Sequence, residues 1–365
     1  MKKTILLVLF LVLSLTMEEA NADFTFGEPV NLESVIPLID ADHESINCFS
    51  IDGLEMYIES DRSGGQGDWD LWVLRRNSVD EDWGPPENLG PNVNSSKQDA
   101  AASISSDGLT LHFLSSRAGG NGGQDIYVTT RLTKNTPWEQ AMNIGSEINS
   151  SSNDSCPWLS PDGLELYFDS RRPDGFGSYD LWVTTRATTG DTWGEPVNLG
   201  PMINSAYSDC NISLSPDGRV LFFSGNQFAT IPRPGGYGGS DIWMTKRETL
   251  SDPWQAPVNL GPKVNNSAHE IIPRISPDGS TLYFCTNSGN TWNNWQAPII
   301  PIVDLNSDGI VDCADMCIIV DNWGTDNQLC DVGPMPWGDG VVDVEDLIVL
   351  AEHLFEEFPS DESVE

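Results

Sequence analysis

Positive charge is scarce in this sequence. Its 365 residues include 18 Lys and Arg against 55 Asp and Glu, with 4 His, which gives a formal net charge of −37 at pH 7. Nucleic acids and anionic membrane surfaces bind proteins mainly through Lys and Arg side chains. The composition therefore argues against nucleic acid or an anionic membrane as a partner.

Long hydrophobic runs are also lacking, except at the N-terminus. Lys2 and Lys3 precede an apolar run from Ile5 to Leu13, and the small residues Ala20-Asn21-Ala22 follow. This order is typical of a secretory signal peptide, and the run is too short to span a bilayer comfortably. We expect cleavage after Ala22 to remove residues 1–22. The mature protein is then expected to have no membrane span and to be secreted or at the cell surface.

An internal repeat organises the chain that follows. The Asp of a Ser-x-Asp-Gly turn returns at intervals of 55, 55, 55 and 61 residues, at Asp52, Asp107, Asp162, Asp217 and Asp278. Each turn precedes an apolar, aromatic-rich strand such as Leu164 to Phe168, and then a second one such as Asp180-Leu181-Trp182. Apolar residues on both faces indicate a sheet that is covered on both sides. Radial stacking of four-stranded sheets meets that need, so the pattern predicts a β-propeller.

The two ends of the repeat region complement each other. Phe26 to Leu32 matches Trp193 to Leu199, a fourth-strand segment, yet it precedes the first complete unit. The fifth unit runs from Trp295 into the next module without its own copy of this segment. We therefore predict an all-β five-bladed propeller over residues 23–303, with four-stranded blades and an N-terminal strand that closes the last blade.

The motifs of this region resemble a known family. The Ser-Pro-Asp-Gly turn, the aromatic strand after it and the segment Arg233 to Trp243 are similar to the WD40-like propeller repeats of the TolB type, which occur in exported bacterial proteins. The resemblance covers about Phe26 to Ile302, with five copies in register. It implies a propeller fold.

One carboxylate recurs eight residues before each turn Asp, at the face of the disc opposite the Asp-Gly turns. These residues are Glu44, Asp99, Asp154, Asp209 and Glu270. As a ring at the mouth of a central channel they would hold a cation or a basic group. Alternatively, each caps backbone donors of an inner strand, which we favour because symmetric residues usually serve the repeat.

The Gly-rich loops on the same face carry aromatic residues. Exposed rings there would stack on sugars or hold a peptide, whereas the alternative is that they fold over neighbouring blades. These residues are Trp69, Phe176, Tyr179 and Tyr237. Arg62, Arg117 and Arg172 begin the same loops, and we expect them to form ion pairs across the second hairpin. Their expected partners are Asp70, Asp125 and Asp180.

The C-terminal segment from Asp304 to Glu365 contains no Lys or Arg. Its first part has oxygen ligands at loop positions 1, 3, 5, 9 and 12, with Gly309 at position 6 and a backbone carbonyl at position 7. The ligands are Asp304, Asn306, Asp308, Ile310, Asp312 and Asp315. Hard oxygen donors at this spacing, with a glycine for the sharp turn, are typical of a Ca²⁺ loop. Ca²⁺ is thus the expected cofactor.

This loop and the helix predicted after it, Ala314 to Trp323, resemble the type I dockerin, a duplicated calcium-loop module that binds cohesin domains. The resemblance implies a small α-helical domain over residues 304–358, an acidic tail over 359–365, and a cohesin-like partner. A second loop has Asp339, Val341, Asp343 and Asp346 in place, with Met335 and Trp337 at positions 1 and 3, so its site is weak, rearranged or empty. The resemblance also implies cohesin contacts at Cys313, Ala314, Val344 and Glu345.

Two functions fit these features. The first is a secreted, non-catalytic binding protein, in which the propeller recognises a glycan or protein and the dockerin-like module attaches it to a cohesin-bearing extracellular or cell-surface assembly. The second is a five-bladed glycoside hydrolase, which needs two or three carboxylates in distinct environments. The acids that the repeat places near the axis show no privileged pair, which favours the first function. A purely structural envelope protein would leave the C-terminal module unexplained.

Overall fold

The computed structural model describes residues 24–32, 43–225, 233–288, 292–306, 310–325, 327, 330–333 and 341–355. The predicted signal peptide (1–22) and acidic tail (359–365) lie outside the described residues. Within those residues, no helix is both long enough and apolar enough to span a membrane.

Five antiparallel sheets make up the region from residue 24 to residue 301. The chain begins with β1 (Phe24–Phe26) and β2 (Val30–Asn31). Blade 1 consists of β3 (Glu44–Phe49), β4 (Glu55–Ser60), β5 (Asp70–Arg75) and β6 (Glu87–Asn88). Blade 2 consists of β7 (Asp99–Ile104), β8 (Thr110–Ser115), β9 (Asp125–Thr130) and β10 (Met142–Asn143). Blade 3 consists of β11 (Asp154–Leu159), β12 (Glu165–Ser170), β13 (Asp180–Thr185) and β14 (Val197–Asn198). Blade 4 consists of β15 (Asp209–Leu214), β16 (Val220–Gly225), β17 (Asp241–Lys246) and β18 (Val258–Asn259). Blade 5 consists of β19 (Glu270–Ile275), β20 (Thr281–Thr286) and β21 (Asn293–Pro301), completed by β1 and β2.

The five sheets close into a ring. In blades 1 to 4, strands that are neighbours in sequence are also neighbours in the sheet. The first strand of each blade contacts the first strand of the next, and β19 of blade 5 contacts β3 of blade 1. These first strands, called inner strands below, therefore surround the axis. Residues 24–301 thus form an all-β five-bladed propeller of four-stranded blades, in which blade 5 has β1 as an extra strand.

The predicted closure of the ring by the N-terminal segment is confirmed. Val30 pairs with Gln296 and Asn31 pairs with Trp295, so β2 is the outer strand of blade 5. The preceding strand adds a pairing that the repeat did not predict, because Phe24 to Phe26 run antiparallel to Ile299 to Pro301. Phe24 and Phe26 are buried in the core that blade 5 shares with blade 4.

The Ser-x-Asp-Gly motif recurs because its polar groups complete each turn. In blade 3, Ser160 Oγ donates to Asp162 Oδ1 (2.6 Å), which also accepts from the backbone N–H of Leu164 (3.0 Å). Gly163 has φ +72°, a left-handed conformation that glycine adopts without steric cost. The equivalent serine-to-aspartate bond is present in all five blades.

The C-terminal region contains two short helices, α1 (Cys313–Asp321) and α2 (Val344–Glu352), which contact each other. Asp312 and Asp343 are their N-caps, and each forms a capping box with the aspartate three residues later. α2 begins three residues before the predicted start at Leu347 because Asp343 caps it there. A small apolar core that includes Val311, Ile319 and Leu350 lies between the helices and the loops.

Candidate ligand-binding site

A pocket of about 330 Å³ lies on the propeller axis, where the inner strands begin. Its wall alternates between the first residues of inner strands and the last residues of the strands that pair with them. Arg274 lines its inner end and lies 5.1 Å from the ring centroid of Trp158. Trp158 lines a smaller cavity of about 80 Å³ among the Ser-Pro turns of the opposite face. The pair therefore separates the pocket from that cavity.

Bulges in the inner strands shape the pocket wall. The equivalent residues of blades 2 to 5 have left-handed backbones, with φ between 47° and 58°: Ala101, Cys156, Asn211 and Ile272. Such a conformation is uncommon for residues other than glycine, so surrounding contacts must hold it. Ala101 N–H donates to Glu59 Oε2 (2.8 Å), and Asn211 N–H donates to Asp169 Oδ1 (3.2 Å). A side chain of the preceding blade thus fixes each of these two bulges.

The residues seven positions after each turn Asp form one structural column, and they break the symmetry of the ring. The column consists of Glu59, Leu114, Asp169, Ser224 and Cys285. Glu59 and Asp169 both line the axial pocket, whereas the equivalent position of blade 2 is apolar. The sequence prediction missed this asymmetric pair. A comparison of the five copies at this one position would have found it.

Burial raises the pKa of both acids of this pair. Desolvation raises the pKa of Glu59, although hydrogen bonds from Ala101 N–H and from Asn47 Nδ2 (3.1 Å) act in the opposite direction. Desolvation also raises the pKa of Asp169, against hydrogen bonds from Ser155 Oγ (2.5 Å) and from Asn211 N–H. Removal from water disfavours the charged form of a carboxyl group. The two acids thus have a raised proton affinity in different surroundings.

The five carboxylates of the predicted ring lie beside the inner-strand ends and make structural contacts. Asp99, Asp154, Asp209 and Glu270 are fully buried and do not line the axial pocket, whereas Glu44 does. Asp154 is representative, because its Oδ2 accepts from Ser150 N–H (2.6 Å) and its Oδ1 accepts from Ser170 Oγ (2.6 Å). Such contacts agree with the alternative interpretation, in which each acid caps backbone donors beside an inner strand. Four fully buried acids leave no open negative ring at the pocket mouth.

The prediction that the loop arginines pair with the third-strand aspartates is wrong. Each arginine pairs with the recurring inner-strand acid of its own blade: Arg62 with Glu44, Arg117 with Asp99, and Arg172 with Asp154. Blade 4 has the same pair, because Arg233 from its longer loop reaches Asp209 at 2.9 Å. Asp180, an expected partner, instead accepts from Gly177 N–H (2.8 Å) and Asn198 Nδ2 (2.9 Å). The third-strand aspartates therefore hold the Gly-rich loops.

Glu270 is the exception among these acids. Its carboxylate accepts from Asn266 N–H (3.0 Å) and Thr286 Oγ1 (2.9 Å), but it forms no ion pair with any described residue. Ser288 stands where the arginines of blades 1 to 3 stand. Desolvation, without a compensating cation, raises the pKa of Glu270 to about 7.

Two of the four predicted aromatic residues line the axial pocket. Trp69 and Tyr179 are at its wall, whereas Phe176 and Tyr237 are about half exposed and lie away from it. Trp292 also lines the pocket and was not predicted, because the fifth repeat is degraded there. His43 stacks on Trp69 with ring centroids 5.7 Å apart, and His269 lies 6.3 Å from Trp292. The mouth of the pocket is therefore rich in flat rings.

The first C-terminal loop is organised around Asp315. Its Oδ1 accepts from Leu305 N–H (2.8 Å) and Asn306 N–H (3.1 Å), and its Oδ2 accepts from Asp312 N–H (2.9 Å). The side chains of Asp304, Asn306, Asp312 and Asp315 supply oxygen ligands, which is the ligand type that a hard cation such as Ca²⁺ prefers. In the described part of the chain, no group of three or more His, Cys, Asp or Glu side chains is arranged to hold a metal. Asp308, a predicted ligand, lies outside the described residues.

The second loop has a different register from the predicted one. Asp346 Oδ1 accepts from Val332 N–H (2.6 Å) and Gly333 N–H (2.8 Å), as Asp315 Oδ1 does from Leu305 and Asn306. Asp331 is therefore the counterpart of Asp304, and the second loop is four residues longer than the first. The predicted first position, Met335, and the predicted ligand Asp339 lie outside the described residues.

Val341 and Asp343 are described, and Asp343 caps α2 through Glu345 N–H (2.8 Å). The residues expected to contact a cohesin, Cys313, Ala314, Val344 and Glu345, are all exposed at the starts of the two helices. Their exposure leaves both helix starts accessible to a partner.

No family model matches this chain, and the comparison with curated proteins gives no match. Solved structures do resemble it. TolB from Acinetobacter baumannii is 15% identical with a TM-score of 0.45, over 70% of this chain and 54% of that one, so the match spans about half the length of that TolB. A thermostable family-43 glycoside hydrolase is 13% identical with a TM-score of 0.49, over 73% of this chain and 92% of that one. An endo-arabinase from Bacteroides thetaiotaomicron is 14% identical with a TM-score of 0.49, over 77% and 98%. The five-bladed propeller itself is shown by the sheets of this chain and their closure into a ring.

Proposed function

We propose that the propeller is a non-catalytic module that binds a glycan in its axial pocket. The observation that supports this most is the combination of Trp69, Tyr179 and Trp292 at the mouth with polar side chains deeper inside. Sugar rings have apolar faces that stack on aromatic rings, and hydroxyl groups that need hydrogen-bond partners. Ligand pockets commonly combine apolar walls with a few precisely placed polar groups.

We propose that the C-terminal module attaches this protein to a cohesin-bearing extracellular or cell-surface assembly. Asp304, Asn306, Asp312 and Asp315, with Asp308 and the carbonyl of Ile310, would bind Ca²⁺ in the first loop. Support comes from the all-oxygen donor set, from the duplicated hydrogen-bond pattern around Asp315 and Asp346, and from the exposed starts of both helices. The signal sequence proposed for residues 1–22 would export the chain.

The glycan proposal is tested by a glycan array, followed by titration calorimetry of the full chain with each hit. We expect Trp69→Ala and Trp292→Ala to weaken binding by roughly fivefold, since an aromatic stacking contact contributes about 1 kcal/mol. Phe176→Ala is a matched control, because Phe176 is an exposed aromatic residue of a Gly-rich loop that does not line the pocket. An array without hits, or equal losses in all three variants, would refute the proposal.

A second candidate function, glycoside hydrolysis, is favoured by one specific observation. Glu59 and Asp169 form an asymmetric acid pair in the pocket, and burial raises the pKa of each in a different hydrogen-bonding environment. A glycosidase needs a protonated acid to donate to the leaving group and a second carboxylate to act as base or nucleophile. Release of reducing sugar from plant and algal polysaccharides would favour this function over binding alone.

A further inference from the structure

The inner end of the axial pocket contains a buried guanidinium without a carboxylate partner. Arg274 is 3% exposed and lines the pocket. Its Nη1 donates to the carbonyl oxygens of Ile212 (3.0 Å) and Pro273 (2.8 Å), and its Nε is buried without an acceptor. The other buried arginines of this propeller differ, since Arg131 and Arg247 form ion pairs with Glu55 and Glu165. Among the described residues Arg274 forms no such pair.

A second buried donor in the same pocket also lacks an acceptor. Asn211 is 4% exposed, and its Oδ1 accepts from Cys156 Sγ (3.2 Å), but its Nδ2 has no partner. A buried donor left without an acceptor is unfavourable, because it loses its hydrogen bonds to water and gains none in the protein. Both groups are nitrogen donors, which indicates a ligand with acceptor oxygens.

The charge of Arg274 narrows the chemistry of that ligand. A buried, unpaired cation is unfavourable, whereas a carboxylate offers both an opposite charge and two oxygens that two separate donors can share. Cys156, Cys48 and Cys285 interact with Arg274 electrostatically. Burial raises the pKa of Cys48 and Cys285 to about 12 and that of Cys156 well above its usual value, so these thiols do not compensate the guanidinium charge at neutral pH. Glu59 interacts with Arg274 electrostatically, but its carboxyl group is hydrogen-bonded to Ala101 and Asn47.

We propose that the axial pocket binds the carboxylate of a uronic acid residue, with Arg274 Nε and Asn211 Nδ2 as the donors to its oxygens. This inference rests on the proposed glycan-binding function and specifies its ligand class as an acidic glycan. The sugar ring then lies toward Trp69 and Trp292 at the pocket mouth. A pocket of about 330 Å³ is at the small end of the range for ligand sites, which suits a short saccharide segment.

The acidic groups of the pocket are compatible with an anionic ligand. Burial raises the pKa of Glu59 and Asp169, and the hydrogen bonds from Ala101 N–H and Asn211 N–H occupy one oxygen of each carboxyl group. Glu44 also faces the pocket: its Oε1 is paired with Arg62, its Oε2 is buried without a hydrogen-bond partner among the described residues, and desolvation raises the pKa of its carboxyl group. Asp169 contributes indirectly, because it accepts from the backbone of Asn211 and so helps to position the amide.

The test compares acidic and neutral trisaccharides of the same configuration by titration calorimetry with the full chain. The pairs are galacturonate and galactose, glucuronate and glucose, and mannuronate and mannose. We expect at least one acidic member to bind tenfold or more tightly than its neutral counterpart, and added salt to reduce that difference. Arg274→Met should lower the affinity for the acidic member to that for the neutral one, and Arg274→Lys should recover part of it.

Two variants keep this test independent of folding. Asn211→Gly removes the amide but tolerates the φ of +58°, so it should fold and lose affinity for the acidic member specifically. Arg186→Met is the matched control, because Arg186 also stacks on a tryptophan and donates to a carbonyl oxygen, but lies away from the pocket. Neutral members that bind while acidic ones do not would overturn the inference and leave glycan binding intact. Absence of binding by all six would overturn both, and acidic binding unchanged in Arg274→Met and Asn211→Gly would overturn the inference alone.

Discussion

Glu59 and Asp169 occupy the same position in two different blades, and both line the axial pocket. Each accepts a hydrogen bond from the left-handed bulge of the next blade, at Ala101 and Asn211 respectively. The pair therefore has a structural task besides any chemical one. Substitution by the corresponding amide removes the carboxylate charge but keeps one acceptor oxygen. The chemical role and the structural role of each acid can therefore be tested separately.

The first prediction separates binding from hydrolysis by means of Glu59→Gln and Asp169→Asn. Both amides can still accept from the bulge N–H groups, so we expect both variants to fold and to bind glycan as the wild type does. We expect no reducing sugar from the wild type in a polysaccharide digest. Release by the wild type that falls about 100-fold or more in either variant would establish the acids as general acid–base groups and contradict the prediction.

The second prediction concerns the ion pairs beside the inner strands. Arg172 lies 2.6 Å from Asp154, whose side chain is fully buried, so Arg172→Met leaves an uncompensated charge. We expect the free energy of unfolding in urea to fall by about 3–5 kcal/mol. Lys134→Met is the control: Lys134 and Asp52 are both more than a third exposed, and loss of such a pair costs about 1 kcal/mol or less. Equal losses in the two variants would contradict the structural role of the buried pair.

The third prediction is a pH dependence that arises from Glu270. Its pKa is about 7 in the folded protein, above its ordinary value of 4.5. Its contribution to stability is therefore fully present below about pH 4.5 and is lost as the pH rises toward 7. We expect Glu270→Gln to melt at a higher temperature than the wild type at pH 8 and at the same temperature at pH 4.

A matched substitution tests the cause of that shift. Ser288→Arg should supply the cation that blade 5 lacks and so lower the pKa of Glu270, which raises the melting temperature at pH 8. Ser288→Gln has similar length without charge and should have little effect. If Glu270→Gln changes the melting temperature equally at pH 4 and pH 8, the raised pKa of Glu270 is not the cause of that change.

The sequence predicted those features that repeat. Five copies of one turn, each completed by the same Ser–Asp contact, established the number of blades, and the extra Phe26 to Leu32 segment established the closure. Side-chain partners were harder to predict. Arg172 begins a loop that runs next to both the inner strand and the third strand, and sequence separation does not distinguish Asp154 from Asp180.

The candidate site was missed because it consists of departures from the repeat. Glu59 and Asp169 are exceptions within their column, and Trp292 lies in a degraded copy. Arg274 stands four residues before its turn Asp, where the other copies have Cys48, Ser103, Trp158 and Ser213. A pattern drawn from the residues that the five copies share does not contain residues that occur in only one or two copies. The register of the second C-terminal loop departs from the first in a similar way, because the loop that begins at Asp331 is four residues longer than the one that begins at Asp304.

The fourth prediction tests the closure of the ring. Phe26 is 4% exposed and packs in the core that joins blades 4 and 5, so Phe26→Ala should lower the free energy of unfolding by about 3–5 kcal/mol. Val30→Ala, in the same N-terminal segment, is the control. Val30 is 47% exposed, and its truncation should change the stability by about 0.5 kcal/mol or less. A small loss for Phe26→Ala in chemical denaturation would show that the segment is not needed to hold blade 5.

The fifth prediction is a calcium site in the first C-terminal loop. We expect titration calorimetry of the full chain with CaCl₂ to reveal at least one tight site, which Asp304→Ala removes because it deletes an oxygen ligand at the first loop position. Asp304 is a better choice than Asp315, which accepts three backbone N–H groups and whose loss would also disturb the loop itself.

Two controls in the same module make this result specific to the first loop. Asp321→Ala changes an exposed aspartate at the end of α1, outside both loops, and should leave the site intact. Asp331→Ala changes the counterpart of Asp304 in the longer second loop, so it should also keep the tight site and remove only a second binding event, where one is measured. Because all three substitutions remove one negative charge, an effect of overall charge would appear in each of them equally. Heat signals that are the same in Asp304→Ala and in the wild type would eliminate the first loop as a calcium site.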